Sequence, residues 1–232
     1  MSGLDFGERL SNAPGRQIVL AQRFSMLIHE FCPKAKLGCD VGCGEGLLAA
    51  LMAKRNDFPF CGVEPWLPAE SETRNGMEVR RGWAHSMPYD DESFDVVTLT
   101  SVYEHILPWH RVASFKEMNR VLGKGGILLG QIPNMNFPIE PHSLLPLQQY
   151  LPKPIAETYF RKFSPVPWRK GEVNWYKVGP KHLIADATEG GFTYNRVDRF
   201  NYSLEVVPRI LKMGAMMLRP IPMGYVFCFT KK

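Results

Sequence analysis

Leu37-Gly38-Cys39-Asp40-Val41-Gly42-Cys43-Gly44-Glu45-Gly46 runs directly into Leu47-Leu48-Ala49-Ala50-Leu51. The first residues form a short apolar strand, the glycines a sharp turn, and the leucine- and alanine-rich run a helix. Glycines at 42, 44 and 46 permit positive φ and let a ligand approach the backbone closely. The helix that follows turns its unpaired N–H groups toward whatever lies over the turn. This order of strand, glycine turn and helix predicts a site for a nucleotide cofactor.

The glycine spacing narrows the cofactor. A dinucleotide fingerprint, G-x-G-x-x-G, counted from Gly42 would place its third glycine at position 47, where this chain has Leu47. Asp40, two residues before the first glycine, would repel a pyrophosphate. It suits a ligand with an amino group or a cationic centre and no phosphate, as in S-adenosylmethionine. The run resembles motif I of the class I S-adenosylmethionine-dependent methyltransferases.

Further segments follow in the order that family would have. Phe58-Pro59-Phe60-Cys61-Gly62-Val63-Glu64-Pro65 is a second strand ending in an acid. The resemblance implies that Glu64 accepts hydrogen bonds from both ribose hydroxyls, one carboxylate offering two oxygens to two adjacent donors. Met87-Pro88-Tyr89-Asp90-Asp91-Glu92-Ser93-Phe94-Asp95-Val96-Val97 is similar to the family's run into strand four, and Ser101-Val102-Tyr103-Glu104-His105-Ile106 follows that strand. Phe115 to Gly126 matches the helix and glycine turn before strand five. Together these segments cover roughly residues 36 to 134. The family commonly has Asp in the turn after strand three, against the adenine amino group. Here the turn is Gly82-Trp83-Ala84-His85. The Trp83 indole would stack on adenine or else point into the core. There is no D-P-P-Y or N-P-P-Y after strand four, which argues against methyl transfer to nucleic-acid base amines.

The resemblance implies an α/β, Rossmann-like fold, with helices on both faces of a seven-stranded, mostly parallel sheet whose last strand is antiparallel. It implies a cofactor set of Asp40, Gly42, Cys43, Gly44, Gly46, Glu64, Pro65, Trp83, Ala84, Ser101 and Glu104.

At 232 residues the chain is expected to be a single domain. Its core would comprise 15–133 and 190–232, with a substrate cap at 134–189 inserted after strand five. Residues 15–31 carry an amphipathic helical stripe. Gly123 caps the helix before strand five. From Pro133 the composition turns dense in proline and aromatics; Pro138, Pro141, Pro146, Pro152, Pro154, Pro165 and Pro167 break any long helix. Helical pieces near 156–163 and 180–190 precede a sixth strand after Gly191 and a seventh from Gly224 to Thr230. Five cysteines without C-x-x-C spacing point to reduced core thiols in a cytoplasmic protein and to no metal site. The polar N-terminus carries no secretory signal. A net charge of +5 permits an anionic acceptor but does not call for nucleic acid.

Methyl transfer to oxygen needs a group that takes the acceptor's proton. His142, with Glu140 to orient it, and His105 are the candidates; the alternative for His105 is that it shapes the site rather than acting as base, and for His182 that it simply opens a helix. The expected function is methylation of a small-molecule acceptor, at oxygen of a sugar, glycolipid or secondary metabolite, with S-adenosylhomocysteine as product. The alternatives are a non-catalytic S-adenosylmethionine-binding regulator or scaffold and an RNA methyltransferase. The apolar, Arg- and Lys-bearing stretch 206–223 would pack on the cap or a second subunit, or lie on a membrane surface.

Overall fold

A computed structural model of the chain describes residues 14–166, 175–201 and 220–232. β1 (Gly38–Val41), β2 (Phe60–Glu64), β3 (Ser71–Arg74), β4 (Met77–Arg81), β5 (Phe94–Thr100), β6 (Leu122–Pro133), β7 (Phe192–Phe200) and β8 (Gly224–Lys231) form one sheet in the order β3-β4-β2-β1-β5-β6-β8-β7. β4, β2, β1, β5 and β6 are parallel neighbours, and β8 runs antiparallel to both β6 and β7. The expected Rossmann-like, mostly parallel sheet with an antiparallel last strand is present.

The sheet has eight strands, one more than expected. The extra one is β3, paired antiparallel with β4 across Asn75-Gly76. Both turn residues have positive φ, 48° and 78°. That conformation closes a two-residue hairpin whose twist matches the flanking strands, and Asn-Gly is the dipeptide that adopts it most readily.

The helices are α1 (Pro14–Phe31), α2 (Leu47–Asn56), α3 (Arg111–Val121), α4 (Lys153–Phe163) and α5 (Pro180–Glu189). Leu20, Phe24, Leu27 and Ile28 of α1 and Leu48 and Met52 of α2 cover one face of the sheet, together with Val96, Ile127, Leu129, Val226 and Cys228. Phe115, Met118, Leu183 and Ala187 of α3 and α5 cover the other, with Val97, Leu99, Leu128, Phe227 and Phe229. Neighbouring strand residues therefore point to opposite buried faces, which is why the central strands are apolar almost throughout. Cys39 and Cys228 are buried free thiols, as expected of core cysteines.

Gly123 does not cap α3. The helix ends on an extended Leu122, which already pairs with Phe94 at the start of β6. The ladder then shifts register, and Gly125, with φ 73°, takes the left-handed position instead. In the cap, Pro152 and Pro154 start α4 rather than break it; a proline in the first turn loses no helical hydrogen bond. No helix among the described residues is long and apolar enough to cross a membrane. Residues 206–219 of the basic apolar stretch, and Arg169 and Lys170 of the cap, lie outside the described residues.

Candidate active site

Open α/β sheets bind ligands beyond the carboxyl ends of their strands, where the strand order reverses. Here that point lies between β1 and β5. The glycine loop leaves β1 there, and Ser101–His105 leaves β5 there. The two segments touch: a Cβ on Gly42 would lie 2.5 Å from Cγ2 of Val102.

Gly42, Gly44 and Gly46 all have positive φ (69°, 51° and 76°). Gly46 is the N-terminal cap of α2. A Cβ on Gly44 would meet nothing within 4 Å, so the loop backbone borders open space there. Glu64, at the end of β2, accepts the Gly44 N–H at 3.0 Å through Oε2, while Oε1 lies 3.5 Å from the Trp66 N–H. Each carboxylate oxygen keeps a lone pair, so the residue fits the ribose role. Asp40 is buried beneath the loop, and its Oδ1 accepts the Thr98 hydroxyl at 2.6 Å. Burial raises its carboxyl to about 7; the Thr98 hydrogen bond lowers it and the Glu64 charge raises it further. Cys43 turns its sulfur against β2, where a Cβ on Gly62 would lie 2.6 Å away. Burial pushes that thiol far up, so Cys43 offers the loop its backbone rather than a reactive sulfur.

The β3–β4 hairpin braces the loop from outside. The Arg74 guanidinium donates to the Gly44 carbonyl at 2.7 Å and Asn75 Nδ2 to the Glu45 carbonyl at 2.7 Å, and Glu72 pairs with Arg74. Pro65 and the Gly82–Ala84 turn flank Glu64, with the Gly82 N–H 3.4 Å from the Glu64 carbonyl. Trp83 does not enter the core: it is 47% exposed and packs edge-to-face on Trp66 at 5.4 Å. Ser101 has φ 54°, uncommon for a residue with a side chain. Its hydroxyl donates to Gln131 Oε1 at 2.8 Å and accepts from Arg16 of α1 at 3.0 Å. Thr98, Arg74, Arg16 and Gln131 thus support the cofactor side. They escape sequence reading because each partner is more than 25 residues away along the chain.

The second half of the site joins β5 to the cap. Glu140 is buried, and its Oε2 accepts the His142 and Ser143 backbone N–H groups at 2.9 and 2.6 Å. Its Oε1 holds His142 Nδ1 at 2.8 Å, the orienting contact expected of it. His142 stacks on Trp175 at 4.7 Å and meets His105 edge-on at 5.1 Å. Its Nε2 faces Glu104 Oε1 at 3.6 Å. Glu104, which the resemblance groups with the cofactor residues, therefore lies beside the histidines; the cap holds it there through the Tyr176 N–H on its carbonyl at 2.8 Å. Burial alone would depress His142, but the Glu104 and Glu140 carboxylates outweigh it and hold the imidazole at about 9. His182 is exposed on the first turn of α5, away from this group. A hollow of about 420 Å³ lies at the other end of the sheet, between α2 and the starts of β2 and β4, and none of these residues lines it.

Residues 39–130 match the family model described as a methyltransferase domain. A 62-residue stretch is 37% identical to the uncharacterized protein YafE of Escherichia coli K12; it covers 26% of this chain, and the chain spans only 28% of that protein's length. The fold is similar to a crystal structure of a SAM-dependent methyltransferase from Archaeoglobus fulgidus, with TM-score 0.62 and 17% identity over 97% of this chain and 98% of that one. It is also similar to the [4+2]-cyclase SpnF, with TM-score 0.55 and 15% identity over 90% of this chain and 80% of that one.

Proposed function

We propose that the chain, whose residues 39–130 match a methyltransferase domain, is a class I S-adenosylmethionine-dependent methyltransferase and that it methylates a hydroxyl oxygen of a small-molecule acceptor such as a sugar, glycolipid or secondary metabolite. One observation carries the reading. The glycine loop and the Glu104–His142–Glu140 group sit on segments that touch at a single point of the sheet, through Gly42 and Val102.

The bound cofactor supplies an activated methyl group, and the protein supplies binding, orientation and electrostatics. Asp40, Glu64 and the loop amides hold the amino-acid and ribose parts. Trp83, exposed beside Glu64 and Trp66, offers a face for adenine. At the acceptor end Glu140 and Glu104 flank the His142 imidazole, and neither Glu104 oxygen has a hydrogen-bond partner among the described residues, so that carboxylate is free to accept a hydrogen bond from the acceptor hydroxyl. Glu140 positions His142, and His142 with His105 orients the acceptor hydroxyl. Trp175 packs on His142 and Phe160 on Trp175, with ring centroids 4.7 and 5.6 Å apart; shielding from water strengthens the electrostatics of the group.

The test is transfer of a labelled methyl group to a panel of hydroxyl and amine acceptors. Hydroxyl products are expected. His142→Ala should lower turnover by about 100-fold, the scale of a lost positioning contact at the reacting group, with S-adenosylhomocysteine affinity within about threefold. Amine products alone would contradict the oxygen assignment. Cofactor binding without turnover on any acceptor would favour a non-catalytic role.

A further inference from the structure

We propose that Glu104, His105 and His142 form a binding site for one divalent transition-metal ion of the Zn²⁺ type. The inference rests on the reading of this group as the acceptor end and gives that end a chemical preference: an acceptor that offers an oxygen ligand.

The ligand atoms converge. One carboxylate oxygen of Glu104 and one ring nitrogen each of His105 and His142 lie within 4.8 Å of one another. Bonds of about 2.0–2.2 Å to nitrogen and oxygen put the ligand atoms of a tetrahedral site roughly 3.5 Å apart. Side-chain rotations of about an ångström would close the group on an ion.

Glu104 supplies an independent reason. It is fully buried, and neither of its oxygens has a hydrogen-bond partner among the described residues. His142 Nε2, at 3.6 Å, is beyond hydrogen-bonding distance. The His142 imidazole faces it as an ion-pair partner but leaves the lone pairs of both oxygens without a donor, and a buried carboxylate is costly when its lone pairs stay unsatisfied. An ion between Glu104 and the two imidazoles would satisfy them, binding Nε2 of a neutral His142 whose proton it displaces.

The surroundings of His142 fit as well. Metal-bound histidines almost always give their other ring N–H to a carboxylate, a backbone carbonyl or water, which fixes the ring and its tautomer. Glu140 does this at Nδ1, at 2.8 Å, and is itself held by two backbone N–H groups. The remaining nitrogen, Nε2, points at Glu104. His105 is exposed, so an ion has a way in. Two imidazoles and one carboxylate select Zn²⁺ and its transition-metal neighbours over Mg²⁺ or Ca²⁺, which favour all-oxygen shells. Three protein ligands leave a coordination position for water or an acceptor oxygen.

Zn²⁺ titrated calorimetrically into the chelator-treated full-length protein tests this, with Co²⁺ added in parallel for its visible absorption. One ion per chain is expected, with a Kd in the micromolar range or tighter. His105→Ala and Glu104→Gln should each weaken binding at least tenfold and bleach the Co²⁺ band. Glu140→Gln should weaken it by about 10- to 100-fold, as for other orienting partners. Because His105 is exposed, its replacement leaves the core intact, and a thermal melt checks this. No Zn²⁺ binding by the wild type would overturn the proposal. So would binding that survives both substitutions and is lost instead in His85→Ala, at the stacked His85–His110 pair. S-adenosylhomocysteine titrated into the same samples separates the two claims. Cofactor binding without Zn²⁺ binding overturns the metal site alone; Zn²⁺ binding without cofactor binding supports the site and overturns the methyltransferase reading.

Discussion

Asp40 couples the cofactor site to the stability of the fold. An aspartate in an unfolded chain titrates near 3.9, whereas Asp40 in the native protein titrates at about 7 because it is buried beside Glu64, the Thr98 hydroxyl only partly offsetting this. Between those values the native chain holds a proton that the unfolded chain has released. Stability therefore falls as pH rises from about 4 to about 7, the reverse of a salt-bridged carboxylate. Three pH units at 1.36 kcal/mol each set an upper bound of about 4 kcal/mol on the effect. Asp40→Asn cannot ionise, so its urea-denaturation stability should lose less than the wild type's between pH 4.5 and 7.5. The raised His142 is present in both proteins and cancels from the comparison. Identical slopes in the two proteins would mean that Asp40 is ionised throughout.

At the scale of elements, the hairpin β3–β4 is the one piece of architecture that the glycine loop depends on and that the family pattern did not include. It meets the loop through the Arg74 hydrogen bond to the Gly44 carbonyl and the Asn75 hydrogen bond to the Glu45 carbonyl. Arg74→Ala removes one bond to a charged donor, about 1.5–3 kcal/mol by general experience, partly replaced here by water because the side chain is partly exposed. The expected result is S-adenosylhomocysteine affinity weakened by about three- to tenfold, with little change in the thermal midpoint; unchanged affinity would show that the loop holds its shape alone. The hairpin was legible in Asn75-Gly76. It went unread because Ser71-Glu72-Thr73-Arg74 is polar throughout, an edge strand with no apolar face to give it period two. The central strands and α1 were legible for the opposite reason, since burial on one or both faces writes the pattern into the residues. Gly123 misled because a glycine after a helix is usually a cap, and only the pairing of Leu122 with Phe94 shows that the strand has already begun.

Across the whole molecule, what was legible is what is local in sequence. The glycine spacing, Asp40 and Glu64 lie within one βαβ unit, and that unit specified fold and cofactor together. Glu140 beside His142 was legible too, two residues apart. The meeting of Glu104 with His142 was not, because it depends on how the cap returns over β5, a long-range packing outcome with no short-range signature. The reach of Arg16 from α1 to Ser101, 85 residues away, is of the same kind. A glycine-loop half specified locally thus meets a Glu104–His142–Glu140 half assembled by long-range packing, and the acceptor role proposed for the second depends on the cofactor role of the first. Calorimetric titration of S-adenosylhomocysteine into the wild type and into Glu64→Ala tests it most directly. We predict micromolar binding to the wild type, weakened by roughly 100-fold in the variant as two hydrogen bonds to a charged acceptor are lost. No binding to the wild type, or equal binding to both proteins, would contradict the assignment of this loop and this carboxylate as the cofactor site.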